Sequence, residues 1–288
     1  MALKLRKLSY ALGAEVCDFN VAAPMSEAQF GEIYQAFLDN GILLFRDQDI
    51  TREQHIEFSR RFGELDKHDS LPRDRHPNYP ELLLVTNEPN ADGTPSNSRY
   101  TGRSWHSDMS FTPVPSLGSL LKSWTVPEVG GDTLFANMTL AYDTLSDGMK
   151  KLIAGLHGIQ LAGTRKINHA PSGLERLAEQ KKLNPPIAQP VVRTHPETGR
   201  KALYLGDKVK RFDGMTEEES QPLIKFLNAH ATRPEFLYRH QWRKNDILVW
   251  DNRCTMHQAL GDFDEAQLRH MERTTILGTA SGYIVADA

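Results

Sequence analysis

The sequence predicts a mainly β fold with flanking helices, a β-sandwich or jelly roll, and three observations carry that prediction. From residue 82 onward, short apolar and β-branched runs alternate with Gly, Pro, Asn and Asp, the texture of many antiparallel strands. Helical patterning is confined to a few places, so helices would buttress a sheet rather than alternate with its strands. The composition of the 288 residues, 39% hydrophobic and 25% charged, is that of an ordinary globular chain without repeats or low-complexity tracts. No shift in composition divides it, so residues 1–288 read as a single domain.

The elements follow in order. Ser26-Glu-Ala-Gln29 is a capping box ahead of Phe30, Ile33, Tyr34 and Phe37, which predicts a helix over about 27–39, stopped by Gly41. Ile42-Leu43-Leu44-Phe45 is a wholly apolar run that fits a buried strand. Thr51-Arg-Glu-Gln54 opens a second helix, closed by Gly63. Leu82–Val85 is a strand, and residues 89–104, rich in Pro, Asn, Gly, Ser and Thr, form a long loop of the kind that serves as a lid or binding loop. Further strands are predicted at 117–126, 133–136, 190–194, 201–206, 235–242, 246–251 and 274–277. Helical pieces fall at 139–145, 147–156 and 217–230, the last kinked or starting late at Pro222.

Charge and cysteine content exclude several function classes. Thirty-four basic against 37 acidic side chains leave a net charge of −3, which argues against a nucleic-acid binder. The short run Lys208-Val209-Lys210-Arg211 reads as a solvated face. No stretch approaches the ~18 apolar residues of a membrane span, and MALKLRKLSY lacks the apolar core of a signal peptide. Cys17 and Cys254 are too few for a disulfide framework and fit a reducing compartment, so a cytoplasmic location is expected.

Four motifs carry the chemistry. In Trp105-His106-Ser107-Asp108, residues i and i+2 share one face of a strand, so imidazole and carboxylate could turn inward together; on a helix they would diverge. Asn245–His257 reads as a buried strand running into a turn that delivers His257, 151 positions after His106. Two histidines and one carboxylate on one face of an ion form the facial triad of non-haem Fe(II) oxygenases, leaving three of six octahedral positions for a bidentate cosubstrate and O₂. A structural zinc site would close all its positions, usually with thiolates, and neither cysteine has a partner at such spacing. Arg269 and Arg273, four apart before Thr274-Thr-Ile-Leu277, would need anions if they point inward, because a buried guanidinium requires a partner. Gly130-Gly131-Asp132-Thr133 is a tight turn that puts a hydroxyl at a strand start. Each motif also has a structural reading: a chance His-x-Asp, an exposed helical arginine pair, a plain hairpin turn.

Taken together, Trp105-His106-x-Asp108, Gly-Gly-Asp-Thr133, Val191-Val-Arg-Thr-His-Pro196, Trp250-Asp-Asn-Arg253, His257 and the Arg269/Arg273 pair resemble the taurine/2,4-dichlorophenoxyacetate dioxygenase family. The resemblance runs over nearly the whole chain, including the early Phe62-Gly63 segment, in order and spacing. It implies a double-stranded β-helix with Fe(II), 2-oxoglutarate as cosubstrate and O₂. It implies His106, Asp108 and His257 as iron ligands, Thr133 and Arg269 on the distal carboxylate of 2-oxoglutarate, and Arg273 on the anionic group of the primary substrate. His68 falls where taurine enzymes place a histidine on the sulfonate, with a surface histidine as the other reading; Tyr204 would line the pocket or belong to the core. Gly102 departs from the asparagine that taurine enzymes carry four positions before the first histidine ligand, which leaves the substrate open among sulfonates, alkyl sulfates and aryloxyalkanoates.

The implied reaction hydroxylates a C–H bond near that anion and releases succinate and CO₂. Partners would be a small anionic molecule and further copies of the chain in a homo-oligomer, with no nucleic acid and no membrane. A metal-dependent hydrolase using the same ligands, or a non-catalytic jelly-roll binding module, remain as alternatives.

Overall fold

The computed structural model of the chain describes residues 3–96, 98–162 and 182–285. It opens with strands β1 (Leu5–Lys7) and β2 (Ala14–Val16), followed by helix α1 (Glu27–Asn40), β3 (Ile42–Phe45) and α2 (Arg52–Arg60). Both helices begin at the capping boxes: the Ser26 hydroxyl accepts from the Gln29 amide while the Gln29 side chain accepts from the Ser26 amide, and Thr51 and Gln54 repeat the exchange. Caps of this kind contribute ~1 kcal/mol each. Gly41, at φ 69°, ends α1 by donating its N–H to the Phe37 carbonyl.

β4 (Leu83–Thr86), β5 (Ser116–Thr125) and β6 (Thr133–Asn137) lead into α3 (Met138–Asp143) and α4 (Asp147–Ile153). Next come β7 (His157–Gln160), β8 (Ile187–Pro190), β9 (Val192–Thr194), β10 (Lys201–Leu203), β11 (Val209–Phe212) and α5 (Glu217–Ala231). A 3₁₀ turn at Pro234–Phe236 precedes β12 (Leu237–His240), β13 (Ile247–Asp251), β14 (Thr255–Ala259), β15 (His270–Leu277) and β16 (Tyr283–Ile284). The chain is therefore mainly β with a few helices.

Seven strands build the largest sheet, in the order β1-β2-β3-β13-β5-β15-β4; β12-β6-β14 form a second and β11-β7-β8-β16 a third. Strand alternation sorts the large sheet onto two faces. Leu43, Phe45, Ile247 and Val249 pack with Phe30 and Phe37 of α1 and Phe58 of α2. Ile42, Leu44, Leu248 and Trp250 meet Phe135 of β6 and Met271. Helices thus cover one face, and the β12-β6-β14 sheet packs on the other. That sheet's Ala136 and Met256 face a further cluster with Val191, Leu203, Phe212, Ile224 and Leu227.

Three departures from the sequence reading have local causes. The strand expected over 190–194 breaks at Val191, whose N–H bonds the Leu156 carbonyl while its own carbonyl accepts from Tyr204; there the chain changes partner, from β7 to β10. Helix α5 runs through Pro222 without starting late, because its capping box sets the start at Thr216 and both Pro222 and Glu218, whose carbonyl loses a bond, face solvent. The strand expected at 274–277 begins at His270, so the arginine segment belongs to the central sheet.

Candidate active site

β14 delivers His257, and an isolated bridge pairs it with His106: His106 N–H reaches the His257 carbonyl at 3.0 Å, and His257 N–H the His106 carbonyl at 2.8 Å. A single bridge stands where the sequence implied a strand through Asp108. The chain turns at once, with the Asp108 amide held by Asn252 Oδ1 at 3.0 Å and Met109 at φ 54°. The side chains converge all the same. His106 Nε2 lies 3.7 Å from Asp108 Oδ1, and His257 Nε2 lies 3.8 Å from Oδ2.

All three residues are buried, and one ligand atom from each lies within 4.8 Å of the others. Donors about 2.1 Å from a common ion are themselves ~3–4 Å apart, so a small inward adjustment would seat one. The donor chemistry fits as well. His106 Nδ1–H donates to the Ser104 carbonyl at 2.7 Å, which leaves the Nε2 lone pair facing Asp108. Burial lowers both imidazoles, His257 to about 4, so both rings are neutral at pH 7. The His257 ring is fixed by Trp250 and Phe135, at centroid distances of 4.9 and 5.7 Å.

Residues the sequence did not single out join Arg273 in orienting the carboxylate. Ser119 on β5 donates to Asp108 Oδ2 at 2.7 Å, and Asn252 Nδ2 donates to the hydroxyls of Ser119 and Ser116 at 3.0 and 3.1 Å. An Arg273 terminal nitrogen donates to Oδ1. Burial alone would raise the Asp108 carboxyl, but Arg273 and the two imidazoles hold it below the usual carboxylate range. Beyond Arg273, the one sequence signal for this shell was the Trp250–Arg253 motif, which contains Asn252; Ser119 gave none.

Beside the triad stands a cationic cradle. Arg269 is buried, and burial with Arg103 nearby lowers it to about 10. Its Nε donates to the Gly131 carbonyl at 3.1 Å, and its terminal nitrogens make no hydrogen bond among the described residues. Thr133 opens β6, and its Oγ accepts from Trp242 Nε1 at 3.0 Å, so its own hydrogen is free to donate. The glycines of the turn are sterically required: at φ 81° a β-carbon on Gly130 would sit 2.1 Å from the Asp262 carbonyl.

The remaining positions fall around the triad and Arg273. His68 is fully buried, at φ 55°, which excludes the surface reading. Its Nδ1 donates to the Pro80 carbonyl at 3.3 Å, and its Nε2 accepts from the Thr275 hydroxyl at 3.1 Å. Burial and Arg273 lower it to about 4. Tyr204 is buried too, its ring beneath Arg193 at 5.0 Å; burial, with the Asp108 charge in range, pushes the phenol up to about 12. Gly102, at φ 79°, lies against the triad, its β-position 3.6 Å from His106 Cε1.

A second group, His195, Asp251 and Cys254, also brings ligand atoms together. It is closed by its own partners: Arg253 holds Asp251 through Nε at 2.8 Å and a terminal nitrogen at 2.7 Å, and His195 Nε2 lies 3.0 Å from the same carboxylate. Burial keeps the Cys254 thiol protonated.

The family model described as taurine catabolism dioxygenase TauD, TfdA family matches residues 4–275. The chain belongs to this family. It is 31% identical over 273 residues to the alpha-ketoglutarate-dependent 2,4-dichlorophenoxyacetate dioxygenase of Burkholderia sp. (strain RASC), covering 92% of this chain and 91% of that protein. It is 33% identical over 288 residues to the alkylsulfatase of Acinetobacter baylyi, covering 96% and 85%. Among solved structures it is similar to AAD-2 in complex with Mn(II) and N-oxalylglycine, at 32% identity and TM-score 0.80 over 98% of this chain and 99% of that one. A putative alpha-ketoglutarate-dependent taurine dioxygenase from Burkholderia xenovorans gives 30% identity and TM-score 0.81, covering 99% of each chain. As a TauD, TfdA family member the protein is an oxidoreductase, an Fe(II)- and 2-oxoglutarate-dependent dioxygenase using O₂. No helix among the described residues is long and apolar enough to cross a membrane.

Proposed function

We propose that this TauD, TfdA family dioxygenase hydroxylates a C–H bond close to the anionic group of a small sulfonate, alkyl sulfate or aryloxyalkanoate. The observation that carries the proposal is a buried His106–Asp108–His257 cluster next to Arg269, whose terminal nitrogens have no hydrogen-bond partner among the described residues. Relatives named for 2,4-dichlorophenoxyacetate, alkyl sulfates and sulfate esters support the substrate class. We read the two packed sheets as a double-stranded β-helix, residues 1–288 as a single domain, and the assembly as a cytoplasmic homo-oligomer.

In this reading His106, Asp108 and His257 hold the metal. Once bound, the ferrous ion supplies the oxidising chemistry, in which substrate, O₂ and 2-oxoglutarate become alcohol, succinate and CO₂. The protein's contribution is placement. Arg269 pairs with the distal carboxylate of 2-oxoglutarate while the Thr133 hydroxyl donates to it. Arg273, with a buried Nε that has no partner among the described residues, meets the substrate anion, and His68 and Tyr204 complete that wall. A carbon hydroxylated next to sulfate or ether oxygen then collapses to a carbonyl as the heteroatom leaves. Buried aromatic neighbours of the triad keep water from the reacting carbon.

The test is a panel of alkyl sulfates, sulfonates and aryloxyalkanoates with Fe(II), ascorbate and 2-oxoglutarate, read by succinate formation. Succinate in step with substrate loss supports the proposal. Metal-dependent hydrolysis that proceeds without O₂ would reassign the site to a hydrolase.

A further inference from the structure

The run Lys208–Arg211 is not uniformly the solvated face that its composition implies. Lys208 is half-buried: its ammonium lies over the buried Phe111 ring at 4.6 Å and makes no hydrogen bond or ion pair among the described residues. Burial lowers it to about 8, with the Asp108 carboxylate in range opposing that shift and Arg273 adding to it. The charge also reaches both imidazoles of the triad.

This position is built into the backbone. The segment between β10 and β11 is laced to the first ligand: Asp207 N–H donates to the Trp105 carbonyl at 2.9 Å, and Trp105 N–H donates back to Asp207 Oδ2 at 3.1 Å. Between them Gly206, at φ 130°, lets the strands touch; a β-carbon there would lie 2.7 Å from the Trp105 carbonyl and 3.3 Å from His106 Cα. On the other side the Lys208 carbonyl accepts from Leu161 at 3.1 Å. Two anchors, one on each side, fix where the lysine stem leaves the chain.

A half-buried cation beside the triad that no described residue neutralises is free to take an anion from elsewhere. Arg273 is already engaged with Asp108, and Arg269 faces the Gly131 side of the site. We propose that Lys208 is a second cationic anchor for the primary substrate's anionic group, shared with Arg273, and that the pair selects a three-oxygen head, a sulfate ester or sulfonate, over a carboxylate. A tetrahedral head offers separate oxygens to two cations approaching from different sides, whereas a carboxylate directs both of its oxygens toward one planar partner. Phe111 beneath the ammonium adds a face that tolerates an alkyl chain. The inference deepens the substrate reading above and rests on it.

Hexyl sulfate and heptanoate serve as probes, titrated calorimetrically into the protein loaded with Mn(II) and N-oxalylglycine. Wild type is expected to bind hexyl sulfate more tightly than heptanoate. Lys208→Met is expected to weaken hexyl sulfate at least about tenfold and heptanoate little, with N-oxalylglycine affinity unchanged and Lys208→Arg restoring most of the loss. In the wild type, bound hexyl sulfate should also protect Lys208 from acetylation by acetic anhydride, read by peptide mass spectrometry, a measurement that needs no variant. Equal hexyl sulfate affinity in wild type and Lys208→Met, or equal labelling with and without hexyl sulfate, would overturn the role of Lys208 alone. Failure of wild type to bind either probe would instead overturn the substrate reading, and this inference with it.

Discussion

Arg269 donates from Nε to the carbonyl of Gly131 at 3.1 Å, and a β-carbon on Gly131 would sit 3.3 Å from that same Nε and from Cδ. The turn is thus matched to the arginine twice, by an acceptor and by an absent side chain. Gly131→Ala should displace the guanidinium a few tenths of an ångström and strain a backbone at φ 70°, costing about 1–2 kcal/mol of local stability. The expected outcome is a rise of about tenfold in the 2-oxoglutarate concentration for half-maximal succinate release, with the primary substrate's KM little changed, because charge-assisted bonds depend on distance and angle. A 2-oxoglutarate dependence equal to wild type would mean that the turn merely closes a hairpin.

The carboxylate of Asp108 is held by Ser119 and, through it, by Asn252. Asp108→Ala should abolish iron-dependent turnover, and retention of more than about a few per cent would remove Asp108 from the site. Ser119→Ala and Asn252→Ala leave all three donors present but let the carboxylate rotate. Each should weaken Mn(II) binding, measured by electron paramagnetic resonance titration, about 10- to 100-fold. Normal metal affinity in both variants would show that Arg273 alone sets the orientation.

What the sequence displayed and what it concealed divide along physical lines. The capping boxes at Ser26, Thr51 and Thr216 are local interactions written in adjacent residues, and all three helices begin there. His-x-Asp alone is common by chance; the ligand candidates became visible only together with the Gly-Gly-Asp-Thr133, Trp250–Arg253 and Arg269/Arg273 motifs in order and spacing. Ser119 was not visible: a serine in an apolar strand is ordinary until β5 is paired with β13 and β15. The placement of Lys208 was hidden for the same reason, since a basic run looks solvated unless, as here, a distant ring half-covers one of its members. The break at Val191 likewise depends on two distant partners, Leu156 and Tyr204.

The two arginines of β15 and its approach should separate in kinetics. Arg269→Ala removes a buried charge whose geometry points it at the cosubstrate; a loss of about 2–5 kcal/mol raises the 2-oxoglutarate requirement roughly 30-fold or more. Arg273→Ala should weaken the primary substrate and also release Asp108 Oδ1. Its expected signature is therefore a raised substrate KM together with weaker metal binding, while 2-oxoglutarate saturation at excess metal stays near wild type. Equal damage to cosubstrate and substrate in either variant would show that the division of labour is wrong.

Acid stability tests the closed network behind β14. Burial would raise the Asp251 carboxyl, but hydrogen bonds from Arg253 and His195 bring it down to about 2, against an ordinary 3.8. A carboxyl whose folded value is depressed adds stability that is complete above its unfolded value and is lost as pH falls toward the folded one. The window is therefore from about pH 4 down to pH 2, and the full contribution is about 2 kcal/mol, of which about half is gone at pH 3. Glu272, held by Arg52 and His270 and also lowered to about 2, titrates over the same range, so wild type alone does not isolate Asp251. Asp251→Asn does: it should be less stable than wild type at pH 7, since Arg253 loses its carboxylate partner, and should lose about 1 kcal/mol less between pH 7 and pH 3 in urea unfolding. Parallel pH profiles for the two proteins would place the acid-sensitive group elsewhere and leave Asp251 as a packing contact.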